Sequence, residues 1–552
     1  MKTLLITAGC IAVLANALPA GAELQNVAVG GSIRIRGNWY SSEATGDSLT
    51  GRNPFFQVRG TPSWRGYVDP VTGLWGNPLA GARWAAQPGR LPVWGWPDWD
   101  SRGSSAGYVD QRITLNVRAD FTERVSACIE LDSYAIWGED FRSDYVTGVD
   151  RRAVSIDDLE VFQSYIEAND MFGVPLRLRV GRQELLFGSQ WLVGSKVNGA
   201  YYPATSFDAV RATYATDLFS VDAWWAKLAD TSPVEEDGDT DFYGVYASYL
   251  GIENVTFDAY YLLLRDAQAL AATNGTFIAE WLEDVFAVDN FDPTYLHTVG
   301  MRGAGTLGAI DFEAEVAYQF GEAGAAGITF AGAGLLSPYG PDDAEFDNWG
   351  ANLEVGYTFD APMSPRIYIG GAYLGGEDTR DIGFVDWLGA VACPFWSASS
   401  SVSFNRLFSN WVYSEFLANS DLSNAWVGRA GISVNPTENT NLLLAVSYFE
   451  TLEPYKSTWP AYFLLGQWVT WLAPFSFIDR ENEKDLGWET GLYATYTYSD
   501  DLSFSAGYIH FFTGDGLGPG NGNFSCLNGL GFNGGTNDED ADYVYFETTL
   551  RF

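Results

Sequence analysis

Tyr543-Val544-Tyr545-Phe546-Glu547-Thr548-Thr549-Leu550-Arg551-Phe552 alternates without a break. Val544, Phe546, Thr548, Leu550 and Phe552 fall on one face; Tyr543, Tyr545, Glu547, Thr549 and Arg551 fall on the other. A period of two is a β-strand. One face is apolar, the other carries charge, and the segment ends on an aromatic residue. Lipid on one side and a wet lumen on the other demand this pattern, so the stretch reads as the closing strand of an outer-membrane barrel.

The same alternation recurs along the chain. Strands are expected at 27–40, 107–119, 125–137, 159–168, 176–183, 204–214, 219–228, 242–249, 255–265, 295–303, 309–320, 349–359, 366–375, 426–434, 442–450, 486–498, 502–512 and 542–552. An even count suits a single-chain bacterial barrel. The connections alternate in length. Asp120–Arg124, Leu250–Asn254, Ala304–Gly308, Asn435–Asn441 and Ser499–Asp501 are short, and between them fall long ones at 41–106, 138–158, 184–203, 229–241, 266–294, 321–348, 376–425, 451–485 and 513–541. The expected fold is therefore all-β: a transmembrane, antiparallel, up-and-down barrel of about eighteen strands, with short periplasmic turns and long extracellular loops. Residues 23–552 form one barrel, and 41–106 is its long first loop.

The other end of the chain agrees. Met1-Lys2 is a positive start, Thr3–Leu18 is uncharged and largely apolar, and Ala20-Gly21-Ala22 is a small-residue cleavage site. Residues 1–22 read as a secretory signal peptide. The apolar run before Cys10 is too short for a lipoprotein signal, and no other uncharged apolar stretch reaches the ~18 residues of a membrane helix. The expected location is the outer membrane, with its lipid as the first partner.

Composition narrows the function. Asp and Glu number 70 against 31 Lys and Arg, for a formal charge of −39, which excludes nucleic acid as a natural partner. Aromatic residues make up 16% of the chain, enough for two interfacial girdles. Cys10 leaves with the signal. Cys393 and Cys526 fall in long loops and are expected to pair in an oxidising compartment, whereas Cys128 falls within a strand and stays reduced.

Alternation also assigns the lumen. Arg34 and Arg36 oppose Ile33, Ile35 and Trp39; Asp110, Arg112 and Arg118 oppose Ile113, Leu115 and Val117; Arg177 and Arg179 oppose Leu176, Leu178 and Val180. Asp311, Glu313 and Glu315 oppose Ile310, Phe312, Ala314 and Val316. An arginine on the lipid face costs about 2–4 kcal/mol at the midplane, so these charges are expected inside. Arg182, Arg211 and Arg302 join the expected pore-lining set, with Glu130 and Asp132 among its acids. The arginines concentrate at or before Arg211, which gives one arc of the wall a cationic character. Two roles suit such an arc: pairing with inward acids to stabilise a charged lumen, and selecting ions.

Catalysis is not expected. His297 and His510, the two histidines, lie near strand ends, where an interfacial role outweighs that of a base, and no Ser-His-acid pattern points to a nucleophile. No Cys or His cluster has metal-ligand spacing, no cofactor is implied, and acidic stretches such as Glu235-Glu236-Asp237 and Asp538-Glu539-Asp540 read as solvated loops.

Val180-Gly181-Arg182-Gln183-Glu184-Leu185-Leu186-Phe187-Gly188, continuing through Gln190 to Leu192-Val193-Gly194, resembles the signature of alginate-export-type outer-membrane proteins. Ser206-Phe207-Asp208-Ala209-Val210-Arg211, Phe404-Asn405-Arg406-Leu407-Phe408, Leu486-Gly487-Trp488-Glu489 and His510-Phe511-Phe512-Thr513-Gly514-Asp515 are similar to other parts of that family. The resemblance implies an eighteen-stranded barrel with an arginine-lined lumen that conducts anionic polysaccharide. Trp191 departs from it, standing where the family commonly has arginine, as do the acidic load and the long loop 41–106. The expected function is a porin for small or polymeric anionic solutes. The competing reading is a structural or surface-interaction barrel whose lumen is plugged by loop 41–106.

Overall fold

A computed structural model describes residues 24–40, 106–122, 124–137, 159–195, 205–230, 239–267, 294–322, 344–376, 400–417, 422–453, 456–458, 462–464, 467–469, 479–481, 483–517 and 540–552. The expected signal peptide at 1–22, nearly all of loop 41–106, and both Cys393 and Cys526 lie outside these residues. Cys128 is a buried free thiol.

Eighteen antiparallel strands close into a barrel. They are β1 (Asn26–Tyr40), β2 (Ala106–Thr122), β3 (Val125–Ile136), β4 (Glu160–Ala168), β5 (Leu176–Gln183), β6 (Phe207–Ala215), β7 (Phe219–Asp230), β8 (Asp239–Ile252) and β9 (Val255–Asp266). The second half comprises β10 (Thr294–Leu307), β11 (Ile310–Glu322), β12 (Ala344–Thr358), β13 (Arg366–Leu374), β14 (Ala425–Thr437), β15 (Thr440–Thr451), β16 (Asp485–Thr497), β17 (Leu502–Thr513) and β18 (Ala541–Arg551). Each strand pairs with the next, and the opening strand meets the closing one in register from Ser32↔Arg551 to Tyr40↔Tyr543. Closure removes the sheet edges that hydrocarbon cannot satisfy. A three-residue strand, Ser400–Val402, lies parallel to the start of β12.

The outer face is apolar. Ile369 is 69% exposed and Met301 64%, values that mark a lipid-facing surface rather than a soluble one. Exposed aromatics ring the barrel at two levels. Trp225, Tyr243, Tyr261, Trp349, Trp426 and Trp488 lie toward the long loops, while Tyr214, Phe219, Tyr249, Phe257, Tyr357 and Tyr496 lie toward the short turns. These are the girdles that the aromatic content predicted. Both histidines sit on the outer face near the long-loop end: His297 stacks on Phe320 at 5.0 Å, and His510 contacts Asp542 at 2.8 Å.

The observed short connections all fall at one end, which fixes the orientation if short turns are periplasmic. An epitope tag inserted at Asp500, between β16 and β17, is expected to be inaccessible on intact cells. A tag beside the Asp515–Leu517 turn is expected to be surface-exposed. Antibody labelling of intact cells at Asp500 would overturn this orientation.

Candidate functional site

The buried apolar core lies inside the barrel, where two chain segments between strands meet inward-facing wall residues. The first segment, 184–195, follows β5. Its Phe187 stacks on Trp224 (4.5 Å) and on Tyr246 (4.9 Å), both on the inward face. Gly188 lets this happen: it has φ +54°, and a Cβ there would stand 2.7 Å from Tyr246 Oη and 2.9 Å from Arg302 Cδ.

The second segment, 403–417, crosses the lumen. At one wall Phe408 packs against Phe207 (4.9 Å) and Phe242 (5.0 Å) of β6 and β8. Toward the other, Phe416 packs against Phe511 (5.5 Å) and Tyr543 (6.5 Å) of β17 and β18. About half of the strands separate these contacts in either direction round the barrel, so they belong to opposite walls. In between, Gln319 of β11 holds the Asn405 backbone by two 2.7 Å hydrogen bonds. Ring packing of Phe404 uses the space above Gly350, where any Cβ would lie 2.3 Å from the ring.

The two segments are joined to each other. Phe408 N–H donates to Leu192 O (2.8 Å), Gly194 N–H to Phe408 O (2.9 Å) and Asn410 N–H to Gln190 O (2.9 Å). Trp191 is fully buried at this junction. Its indole N–H donates to Tyr413 Oη (2.8 Å), and its ring stacks on Phe404 at 5.6 Å. Tyr413 in turn donates to Asn352 Oδ1 of β12 (2.7 Å). Burial pushes the Tyr413 hydroxyl up to about 12, so it stays a neutral donor. Trp191 thus has a structural role: an apolar ring joins the two segments.

Around this crossing the wall is lined with charge, almost all of it in pairs. Arg34 and Arg36 lie 3.9 and 3.7 Å from Glu547, and Arg36 also sits over the Tyr545 ring at 3.9 Å. Arg112 pairs with Asp132 (3.1 Å), Arg118 and Arg179 converge on Glu167 (3.4 and 2.5 Å), and Arg211 pairs with Asp222 (2.8 Å). Arg302 bridges Asp258 (2.8 Å) and Glu313 (3.0 Å), with Glu315 at 4.0 Å. Asp110 accepts from Asn38 (3.3 Å), and Glu130 from Gln163 (2.7 Å). Asp311 is held by Arg366 (2.5 Å), a residue the sequence reading did not single out although it alternates with Ile367 and Ile369. Arg177 differs from the rest. Its hydrogen bond goes to the Thr213 hydroxyl (3.3 Å), and no carboxylate lies within ion-pair distance among the described residues.

Arg182 requires a correction. It was expected in the pore, but it shares the outward face with the 44%-exposed Val180 and pairs with Asp208 (2.8 Å). In register with it across β6 to β9 stand Asp208, Lys227, Asp241 and Arg265, an alternating row at the long-loop end of the outer face. Charge on the lipid side costs only about 0–1 kcal/mol near the interface, so depth explains why this arginine is tolerated outside.

Beyond the expected residues, the structure adds Arg406, Arg429, Glu415 and Glu489. Arg406 is fully buried and stacks on Tyr413 at 4.7 Å. Glu489 Oε2 accepts from Ser414 Oγ (2.6 Å) and from the Glu415 N–H (3.0 Å), which ties the crossing segment to β16. Burial raises the Glu415 carboxyl above its ordinary range against the pull of Arg36. Arg429 and Glu489 were legible as inward positions of alternating strands. Arg406 and Glu415 were not, because they lie on a segment that carries no strand period.

A family model described as alginate export matches residues 100–525, more than three quarters of the chain. Among solved structures, the chain is similar to OccK8 (OprE) of Pseudomonas aeruginosa, at 11% identity over 95% of this chain and 98% of that one, with a TM-score of 0.44. It is also similar to a BenF-like porin from Pseudomonas fluorescens Pf-5 (9% identity, 96% and 99% covered, TM-score 0.46) and to OccAB3 of Acinetobacter baumannii (9%, 95% and 99%, 0.45). No curated protein matches the sequence.

Proposed function

The chain belongs to the alginate export family of outer-membrane channels, and from that premise we propose that it passes anionic solutes, an acidic polysaccharide among them, along an arginine-lined arc of its lumen. One observation carries this reading. Arg34, Arg36, Arg112, Arg118, Arg177, Arg179 and Arg211 all stand on the inward faces of β1, β2, β5 and β6. Neighbouring acids fix most of these guanidiniums in place without occupying all of their donors, since each guanidinium has five N–H groups and a carboxylate takes two. Arg177, held by a hydroxyl alone, keeps the least compensated charge. In a narrow lumen such fixed cations attract sugar carboxylates more strongly than they would in bulk water. The acid load of the whole chain does not cancel this, because charge outside the pore is screened over about 8 Å at physiological salt.

Reversal potentials in a salt gradient test the proposal. The wild type is expected to favour anions. Arg177→Gln strands no buried acid and is expected to weaken that preference. Changing Arg112, Arg118, Arg177 and Arg179 together to Gln leaves Asp132 and Glu167 without partners, which is expected to turn the preference toward cations. A wild type that already prefers cations, with a reversal potential that neither variant moves, would reduce these arginines to scaffolding for the acids.

A second reading has its own observation. Segments 184–195 and 403–417 meet across the lumen, so a barrel plugged by these segments would serve as a structural or surface-interaction protein. The presence or absence of single-channel current separates the two.

A further inference from the structure

Beneath the crossing segment lies a cavity of about 210 Å³. Tyr413, Ser414 and Glu415 roof it, and β13 to β16 wall it with Tyr368, Arg429, Glu489 and Tyr493. Gly491 and Tyr493 lie further along β16 than Glu489, toward the short turns, so the cavity extends into that half of the lumen.

Its chemistry differs from that of the arginine arc. Three tyrosines, Tyr368, Tyr413 and Tyr493, offer flat apolar rings, the side-chain type that packs on a ligand's apolar face. Glu415 and Glu489 stand side by side, and each carboxyl group keeps oxygens that accept hydrogen bonds whether it is ionised or protonated. Among the lining residues the guanidinium of Arg429 faces them. The Nε of Arg429 is buried without a hydrogen-bond partner among the described residues, although its guanidinium lies 5.8 Å from the Tyr413 ring. A buried donor left open is costly unless something accepts from it.

One ionised carboxyl is enough to offset Arg429, so the lining holds no excess of positive charge for an anion. The groups call for a ligand with several hydroxyl donors for Glu415 and Glu489, one acceptor for Arg429, and a C–H face for the tyrosine rings. A pyranose ring without a carboxylate has all three. The volume is below the roughly 300–1,000 Å³ of pockets that enclose drug-sized ligands, so it suits one ring of a chain at a time.

We propose that this cavity is a subsite for a single neutral sugar ring, so that the saccharide carried has uncharged residues interspersed among its acidic ones. The inference rests on the channel reading and deepens it: acidic residues follow the arc of β1 to β6, and neutral ones lodge under the crossing segment at β13 to β16.

Calorimetric titration of the full-length, detergent-solubilised protein tests this independently of conduction. Maltotriose is expected to bind and trigalacturonate to leave the same site empty. Glu489→Gln keeps an acceptor toward Ser414 but replaces the other carboxyl oxygen with an amide donor, and Tyr493→Leu removes a ring; each is expected to weaken maltotriose at least tenfold. In planar bilayers, maltotriose added on the short-turn side is expected to interrupt the wild-type current. Absence of maltotriose heat in a protein that conducts ions would overturn the subsite and spare the channel. Maltotriose heat in a protein that never conducts would keep the subsite and overturn the channel. Trigalacturonate binding that Glu489→Gln strengthens would assign the cavity to acidic residues and also overturn the proposal.

Discussion

Trp191→Ala is expected to raise single-channel conductance severalfold while leaving the barrel folded. Trp191 is fully buried where segments 184–195 and 403–417 join, and it supplies both the hydrogen bond to Tyr413 and the stack on Phe404. Truncating a buried tryptophan costs about 3–5 kcal/mol. That loss falls on the junction rather than on the strand ladder, whose pairings do not involve it. Released segments would withdraw from the lumen and widen it. Trp191→Phe keeps a ring on Phe404 but loses the N–H donor, so it should fall between the two. The same conductance in all three proteins would mean that this junction does not set the width of the path.

Arg302→Met is expected to destabilise the barrel by about 3–5 kcal/mol, because removing one partner of a buried ion pair leaves the other uncompensated. Arg302 lies between Asp258 and Glu313 with Glu315 nearby, and its side chain is 12% exposed. Asp258 itself accepts from Tyr246 at 2.9 Å, and Glu315 from Tyr260 at 2.7 Å, so the strain would spread through the wall under Phe187. The temperature at which the folded band converts to the unfolded one in heat-modifiability gels should drop markedly. Adding Asp258→Asn and Glu313→Gln to Arg302→Met should recover much of the loss, because the stranded charges are gone. A single variant as heat-resistant as the wild type would show that the lumen is wet enough there to solvate the acids.

Strand existence was legible because each strand separates lipid from a charged lumen, and that difference recurs every second residue. Strand ends were less so. β10 runs to Leu307 although the alternation was read only to 303, because Gly303-Ala304-Gly305 carries too little side chain to show a face. β12 starts at Ala344 rather than 349, and its pairing with β11 there is a matter of partner register, which one strand's sequence does not contain. Arg182, expected in the pore, stands outside for a physical reason. Its parity with Val180 points outward, and at the rim an outward charge costs little. The ion pairs of the lumen were invisible for the same reason as the register: Arg302 and Asp258 are direct partners on β10 and β9, though 44 residues apart in sequence.

The inner segments left a different trace. Leu185-Leu186-Phe187 and Trp191-Leu192-Val193 are too apolar for a loop facing water, and that composition was the available sign that the segment turns inward. It gave no indication of which other segment it would meet.

Single-channel recording of purified wild-type protein in planar bilayers tests the central claim most directly. A channel whose lumen is narrowed by two joined segments predicts discrete current steps, with a reversal potential on the anion side in a salt gradient. A folded, heat-modifiable protein that inserts and yet passes no unit current would contradict it.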